Sequence, residues 1–349
     1  MYRPSSMTRS RRICALVLVL GGVGLAASGS LGSSGEPLPV VRPSLALRLY
    51  RYQNTPAWAE AIRLRREGDR HDARLLSRIT REPIATWFTR SSLSPEREMR
   101  SLTERAAAVD RAPVIVSYDV PGQGCALGTD DRGAPTKALY LSWVSALARG
   151  IGRHTAIVIL EPDALAFALQ GCPIAIATLR DAVEILSRAP RALVYIDAGN
   201  PSWIAPVERL AAGLESAGIS RARGFALNVS NFQGTAADIA YGEKLVRLLG
   251  PTHFVIDTSR NGRGADTNPA DAPSWCNPPG RALGIPPSTS TGVADLDAYL
   301  WVKPPGASDG SCRPGEPPAG RWWRAYALEL AADAGRRLAP SSTANPQAH

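Results

Sequence analysis

The chain has 349 residues, 44% of them hydrophobic and 20% charged, which is enough apolar material for one large domain with a buried core and excludes disorder throughout. Its formal net charge of +9 does not point to nucleic acid, because the arginines are spread along the chain without a basic, aromatic-interleaved motif. The four histidines have no ligand-like spacing and the five cysteines form no C-x-x-C, so no metal site is expected.

Arg9, Arg11 and Arg12 precede ICALVLVLGGVGLAA, an apolar run about as long as a secretory h-region and short for a bilayer span, and small residues follow from Ala26 to Ser30. Residues 1–30 therefore read as a signal peptide or N-terminal anchor, and the body of the protein as secreted or extracytoplasmic with no further membrane contact. LGSSGEPLPVVRP, residues 31–43, has the Gly, Ser and Pro content of a linker. From 44 to 338 the chain reads as one continuous domain without repeat or second linker, expected to act as a monomer, and residues 339–349 as a disordered tail. Within the domain, IRLRREGDRHDARLLSRITR interleaves acids with arginines, the pattern of a solvated helix face.

The body alternates short β-rich runs with amphipathic stretches. ATWF, PVIVSYDV, AIVIL, ALVYIDA, GFALNVS, HFVIDTS and AYLWVK are strand candidates; TKALYLSWVSALARGIG, IATLRDAVEILSRA, PVERLAAGLESAG and ADIAYGEKLVRLLG are helix candidates. Near-continuous apolar strands separated by amphipathic helices predict an α/β fold with a parallel sheet covered on both faces, and so many units in one domain favour a closed, TIM-like β/α barrel. In such a barrel the carboxyl ends of the strands form the functional face. Here they run into Tyr118-Asp119, Glu161-Pro162-Asp163, Asp197, Asn228, Asp257 with Arg260, and Trp301 with Lys303. Any single one could be a helix cap; the set describes a polar site. Lys137, Lys244 and Lys303 are the only lysines among 40 basic residues, so an ammonium at a strand end suggests a need for a compact donor.

No Gly-rich phosphate loop opens a helix and no G-x-S-x-G elbow occurs, which disfavours dinucleotide cofactors, phosphoryl transfer and a serine nucleophile. Carboxylates without metal ligands suggest acid/base hydrolysis with no cofactor. Trp58, Trp87, Trp203, Trp275 and Trp301 stand at loop or strand-end positions, while phenylalanine, the usual core aromatic, occurs five times. Aromatic faces with polar rims suit sugar rings, and beside strand-end acids they favour a glycosidase. Cys14 lies in the leader, leaving Cys125, Cys172, Cys276 and Cys312, which permit three pairings. Nearest-neighbour pairing would close two long loops and contribute up to about 4 kcal/mol each on the chain-entropy model.

YDVPGQGCA, VILEPDAL, YIDAGNPSW, GFALNVSNF, HFVIDTSRNG, WCNPPGRALG and DAYLWVKPPGASDG occur in the order seen in glycoside hydrolase family 6, and the chain resembles the secreted bacterial members of that family from about Leu47 to Gly335. The resemblance implies a distorted, roughly seven-stranded parallel β/α barrel with a groove across its top, acting as an inverting β-1,4-glucanase on β-glucan polysaccharide or cello-oligosaccharide. Asp163 matches the family's general acid, which protonates the leaving oxygen, and Asp309 the candidate base, with Arg260 and Lys303 its charged neighbours. Tyr118 resembles the tyrosine near the distorted sugar, Asp197 a substrate-binding carboxylate, and Trp58, Trp203 and Trp275 the stacking platforms; Asn228, at the end of its strand, joins the expected substrate-binding set. The family's disulfides fall on Cys125 with Cys172 and on Cys276 with Cys312.

The departures from the family pattern lie near the chemistry. Gly124 stands where the family has an Asp that raises the general acid's pKa, Gln123 where Arg is usual, Asn200 where His follows DAG, and Ala307 where Glu is expected. One expectation is that Asp130 or Asp131, in the loop after Cys125, restores the missing charge; the alternative is a weakened or inactive homologue that only binds glucan. The compact span between Cys276 and Cys312 suggests an open cleft and internal cleavage.

Overall fold

The computed structural model describes residues 45–125, 133–266 and 273–334, all within the unit Val41–His349. The expected leader, the linker, the tail, and Asp130 and Asp131 lie outside the described residues. Seven strands, β1 (Thr86–Thr89), β2 (Val114–Tyr118), β3 (Ala156–Leu160), β4 (Ala192–Asp197), β5 (Gly224–Leu227), β6 (His253–Asp257) and β7 (Leu296–Leu300), form one sheet in sequence order. Every neighbouring pair is parallel, as the expected α/β barrel requires.

Helices cover the outside. α1 (Pro56–Arg66) and α2 (Arg70–Thr80) precede the sheet, and α3 (Pro95–Ala107) and α4 (Lys137–Ile151) follow β1 and β2. α5 (Ala164–Leu169) and α6 (Ile176–Leu186) connect β3 to β4; α7 (Val207–Ser216) and α8 (Thr235–Leu249) follow β4 and β5, and α9 (Arg324–Asp333) closes the domain. The arginine-rich stretch is two helices rather than one, broken at Gly68, whose φ of +83° ordinary side chains avoid.

The strands are buried on both faces, and their alternation makes two cores. Ile157 and Ile159 point into the barrel with Val114, Val116, Val255 and Leu300, while Val158 and Leu160 pack outward beneath the helices with Tyr140, Val144 and Leu179. α8 reaches the sheet closely because Gly242 has no side chain: a Cβ there would sit 2.5 Å from the Phe254 ring.

The barrel closes by a narrow seam. No ladder joins β1 to β7; instead Ile84 and Trp301 form a single parallel bridge, the Ala85 N–H donates to the Trp301 carbonyl at 3.0 Å, and Trp87 Nε1 donates to the Val302 carbonyl at 2.9 Å. This is the distortion expected of a seven-stranded barrel.

The last strand starts earlier than AYLWVK suggests. It takes in Asp297, a carboxylate inside the strand that sequence patterning disfavours. Asp297 is tolerated because three neighbouring strands or strand entries supply its partners: Tyr195 Oη at 2.6 Å, Arg223 Nε and Nη2 at 2.8 and 2.9 Å, and the His253 ring at 3.2 Å. Burial alone would raise its pKa, but the bonds from Arg223, His253 and Tyr195 outweigh it and pull it down to about 2.

Because the folded pKa lies below the ordinary 3.8, the stabilisation is present above pH 4 and is lost as pH falls toward 2, on the order of 2 kcal/mol in all. Asp297→Asn is expected to lower the melting temperature at pH 7 and to flatten the acid limb of stability between pH 4 and 2, measured by circular dichroism melts across that range.

Candidate functional site

The exits of β2 to β7 lie together on one end of the barrel, and β3 delivers two carboxyl groups. Glu161 and Asp163 both take left-handed backbone angles, φ +48° and +71°, which turn the chain sharply into α5. Asp163 sits at the N-cap position of α5 but its side chain makes no capping bond, so the helix-cap explanation of this residue fails. Its backbone N–H donates to Asp197 Oδ1 at 2.9 Å, and the same oxygen accepts from Gly199 N at 3.1 Å. Asp197 is buried, and its Oδ2 has no partner among the described residues.

Glu161 points the other way and is 1% exposed. It accepts from Ser117 Oγ at 2.9 Å and from the backbone N–H of Asp119 and Val120 at 2.9 and 3.0 Å, with Gln123 Nε2 at 3.4 Å. Gln123, where the family pattern has Arg, therefore turns inward, and Gly124 is buried and adds no charge.

The β6 and β7 exits carry a buried ion cluster. Arg260 Nη1 lies 2.7 Å from Asp309 Oδ2 and Lys303 Nζ 3.0 Å from Asp309 Oδ1, with side-chain exposures of 0%, 12% and 4% for Arg260, Lys303 and Asp309. The guanidinium also lies over the Phe232 ring, 4.2 Å from its centroid. Asn277 holds Asp309 from the opposite side: its N–H donates to Asp309 Oδ2 at 3.1 Å and its Oδ1 accepts from the Asp309 N–H at 2.8 Å. The disulfide between Cys276 and Cys312 brackets this exchange, and the one between Cys125 and Cys172 ties the end of the β2 loop to the α5–α6 connection. The pairing expected of both bridges is the one observed.

Electrostatics divides the carboxylates by their surroundings. Burial pushes the partly exposed Asp163 up to about 7, with Lys303 working against the rise and Asp309 adding to it. Asp163 thus senses Lys303 and Asp309 of the ion cluster. Burial and the neighbouring Asp163 raise Asp197 well above the usual range. Burial would raise Asp309 too, but Arg260 and Lys303 outweigh it and hold it anionic.

Other expected residues fall into distinct settings. Tyr118 is half-buried, its ring edge-on to Trp87 at 5.2 Å. Trp58 and Trp275 are each 39% exposed. Trp203 is half-buried; its Nε1 donates to Gln170 Oε1 at 3.0 Å and its ring meets Phe167 edge-on. Asn200 shapes the turn into Trp203 by accepting from Ser202 N and Oγ. Trp301 is core: it is 2% exposed, with Nε1 on the Ile285 carbonyl. Ala307 forms an isolated bridge to Trp322.

Asn228 departs from its expected role as a sugar contact. It is fully buried, its Nδ2 donates to the Asp257 carbonyl at 2.8 Å and its Oδ1 accepts from Gln233 N at 2.9 Å, so its amide is spent on the turn after β5. Asp257 is likewise structural, accepting backbone N–H groups from Ser230, Ser259, Val302 and Lys303 at 2.9 to 3.1 Å. Sequence reasoning missed Asn277 and the latch made by Glu161; the only signal for either was its place inside WCNP or EPD.

The model of the family described as glycosyl hydrolases family 6 matches residues 47–334. Endoglucanase A of Cellulomonas fimi is 42% identical over 274 residues, 75% of this chain and 57% of that protein; the chain spans little more than half of that relative. Endoglucanase 1 of Streptomyces halstedii is 37% identical over 73% of this chain and 78% of its own length. The solved endoglucanase Cel6 of Mycobacterium tuberculosis, in complex with methyl-cellobiosyl-4-deoxy-4-thio-β-D-cellobioside, superposes with a TM-score of 0.77 at 40% identity, covering 84% of this chain and 99% of that one.

Removing one member of a buried ion pair leaves the other uncompensated, a loss of about 3–5 kcal/mol. Arg260→Leu is expected to lose less than that in urea denaturation, because Lys303 still pairs Asp309, and Lys303→Ala less again, because the lysine is the more exposed of the two cations, whereas the double variant should lose the full amount.

Proposed function

The chain belongs to glycosyl hydrolase family 6, and from that premise we propose that it is a secreted glycosidase that hydrolyses β-1,4-glucan with inversion, Asp163 acting as general acid. The observation that carries the reading is a carboxyl group at a strand exit, free of capping duty, with a pKa raised to about 7 and an ion-paired carboxylate close enough to influence it. A raised pKa keeps the acid protonated near neutrality, where it donates its proton to the departing glycosidic oxygen. Inversion needs a water on the opposite face of the sugar and a carboxylate to orient it and accept its proton. Asp309 is the candidate base, kept anionic by Arg260 and Lys303.

Trp58, Trp203 and Trp275 offer ring faces for the glucose units, and Tyr118 and Asp197 line the approach to the reacting bond. The likeness to proteins named endoglucanases favours internal cleavage of soluble or amorphous chains. Two disulfides suit an oxidising, extracytoplasmic setting. The side chain missing at Gly124 favours a second reading, a glucan-binding homologue with weakened or no catalysis.

The two readings part on release of reducing ends from carboxymethyl-cellulose beside an Asp163→Ala control. Wild-type activity is expected to be constant at mildly acidic pH and to fall as pH rises through about 7, because the protonated form of Asp163 is the active one. The variant should lose at least about a hundredfold, and proton NMR should show the α-anomer released first. Equal silence of wild type and variant, with cello-oligosaccharide still bound, would establish the binding reading.

A further inference from the structure

Two acids leave β3 on one three-residue turn, and the chemistry proposed above uses only Asp163. We propose that Glu161 is a positioning residue: in its neutral form it clamps the β2 exit against the β3 exit and so sets the place of Tyr118 relative to Asp163.

The geometry fastens both oxygens of the carboxyl group. Oε2 accepts from the N–H of Asp119 at 2.9 Å and of Val120 at 3.0 Å, the two residues that directly follow Tyr118. Oε1 lies 2.9 Å from Ser117 Oγ, a hydroxyl that accepts as well as it donates, so a proton on Oε1 has a partner. Gln123 Nε2 at 3.4 Å and the Tyr140 hydroxyl of α4 complete the surroundings. None of these groups is a cation, the nearby Asp119 is itself an acid, and Glu161 is 1% exposed. An unpaired carboxylate in such a place is costly; a carboxylic acid is not. Burial accordingly raises its pKa to about 8, against the bonds from Val120, Ser117 and Asp119.

Glu161 and Asp163 are separated only by Pro162, whose ring fixes its own φ. Asp163 N is anchored on the other side to Asp197 Oδ1. The turn is thus pinned between β2 and β4. Displacing Glu161 frees the segment that carries Tyr118 while leaving Asp163 chemically unchanged.

The test uses the full chain with Glu161→Gln, Glu161→Ala and the milder Ser117→Ala. Glutamine matches the neutral acid, accepting from Asp119 and Val120 through Oε1 and donating to Ser117 through Nε2. Hydrogen exchange of the Asp119 and Val120 amides reports the clamp without reference to activity. The kinetic arm, kcat and KM on a cello-oligosaccharide of defined length, rests on the hydrolase reading.

The glutamine variant is expected to keep amide protection and kcat within about threefold of wild type, whereas alanine should lower both by at least about tenfold with KM within about threefold, and Ser117→Ala should fall between. Wild-type protection and kcat in the alanine variant would overturn the clamp. A glutamine variant as damaged as alanine would overturn the neutral form, since charge would then be what binds the amides. Should the wild type hydrolyse nothing, the hydrolase reading falls and the exchange arm still decides the role of Glu161.

Discussion

Backbone N–H groups just beyond a buried parallel strand have left the sheet ladder and still need acceptors. In this barrel carboxyl groups supply them, and each one joins neighbouring exits. Glu161 takes the amides that follow β2, Asp197 the amide of Asp163 after β3, and Asp257 the amides after β5, β6 and β7. An unbonded buried amide costs about 1–3 kcal/mol, so these side chains determine where the loops can lie. The functional end of the barrel is held by acids other than the two that the proposed chemistry uses to move protons.

The same burial governs the acids that do. In a low-dielectric setting a carboxyl group either finds a cation or keeps its proton. Asp309 finds two, Arg260 and Lys303, and stays anionic; at Asp163 burial outweighs the pull of Lys303, and the group takes the protonated form near neutrality. One environment therefore produces an acid and a base from the same functional group. Desolvation is the largest cause of the rise at Asp163, so the raised pKa on which the proposed acid role rests does not depend on a charge at position 124.

Period and composition were enough for the seven strands and for the face on which the site would form, because apolar strands between amphipathic helices have few other ways to be buried. They were not enough for the start of β7, where Asp297, the second residue of the strand, is held by partners from three other places in the chain. Trp301 and Trp203 looked alike as strand-end tryptophans, yet one is core and the other is half-buried against Gly199 and Phe167. Asn228 and Asp257 were read as members of a polar site and proved to be the fastenings beneath it.

What the sequence determined by itself is the inventory and the order: an α/β barrel, four cysteines in two bridges, and strand ends that release acids, amides, an arginine and a lysine. Those properties are local or nearly so, set by side-chain periodicity and by which residue follows which strand. The tertiary structure alone decided the division of labour among the acids. Whether a carboxyl group binds amides, pairs with a guanidinium or keeps its proton depends on donors that arrive from segments 30 to 50 residues away, as with Asp163 and Asp197 or Arg260 and Asp309. No local pattern encodes that proximity, because it comes into being only when the barrel closes.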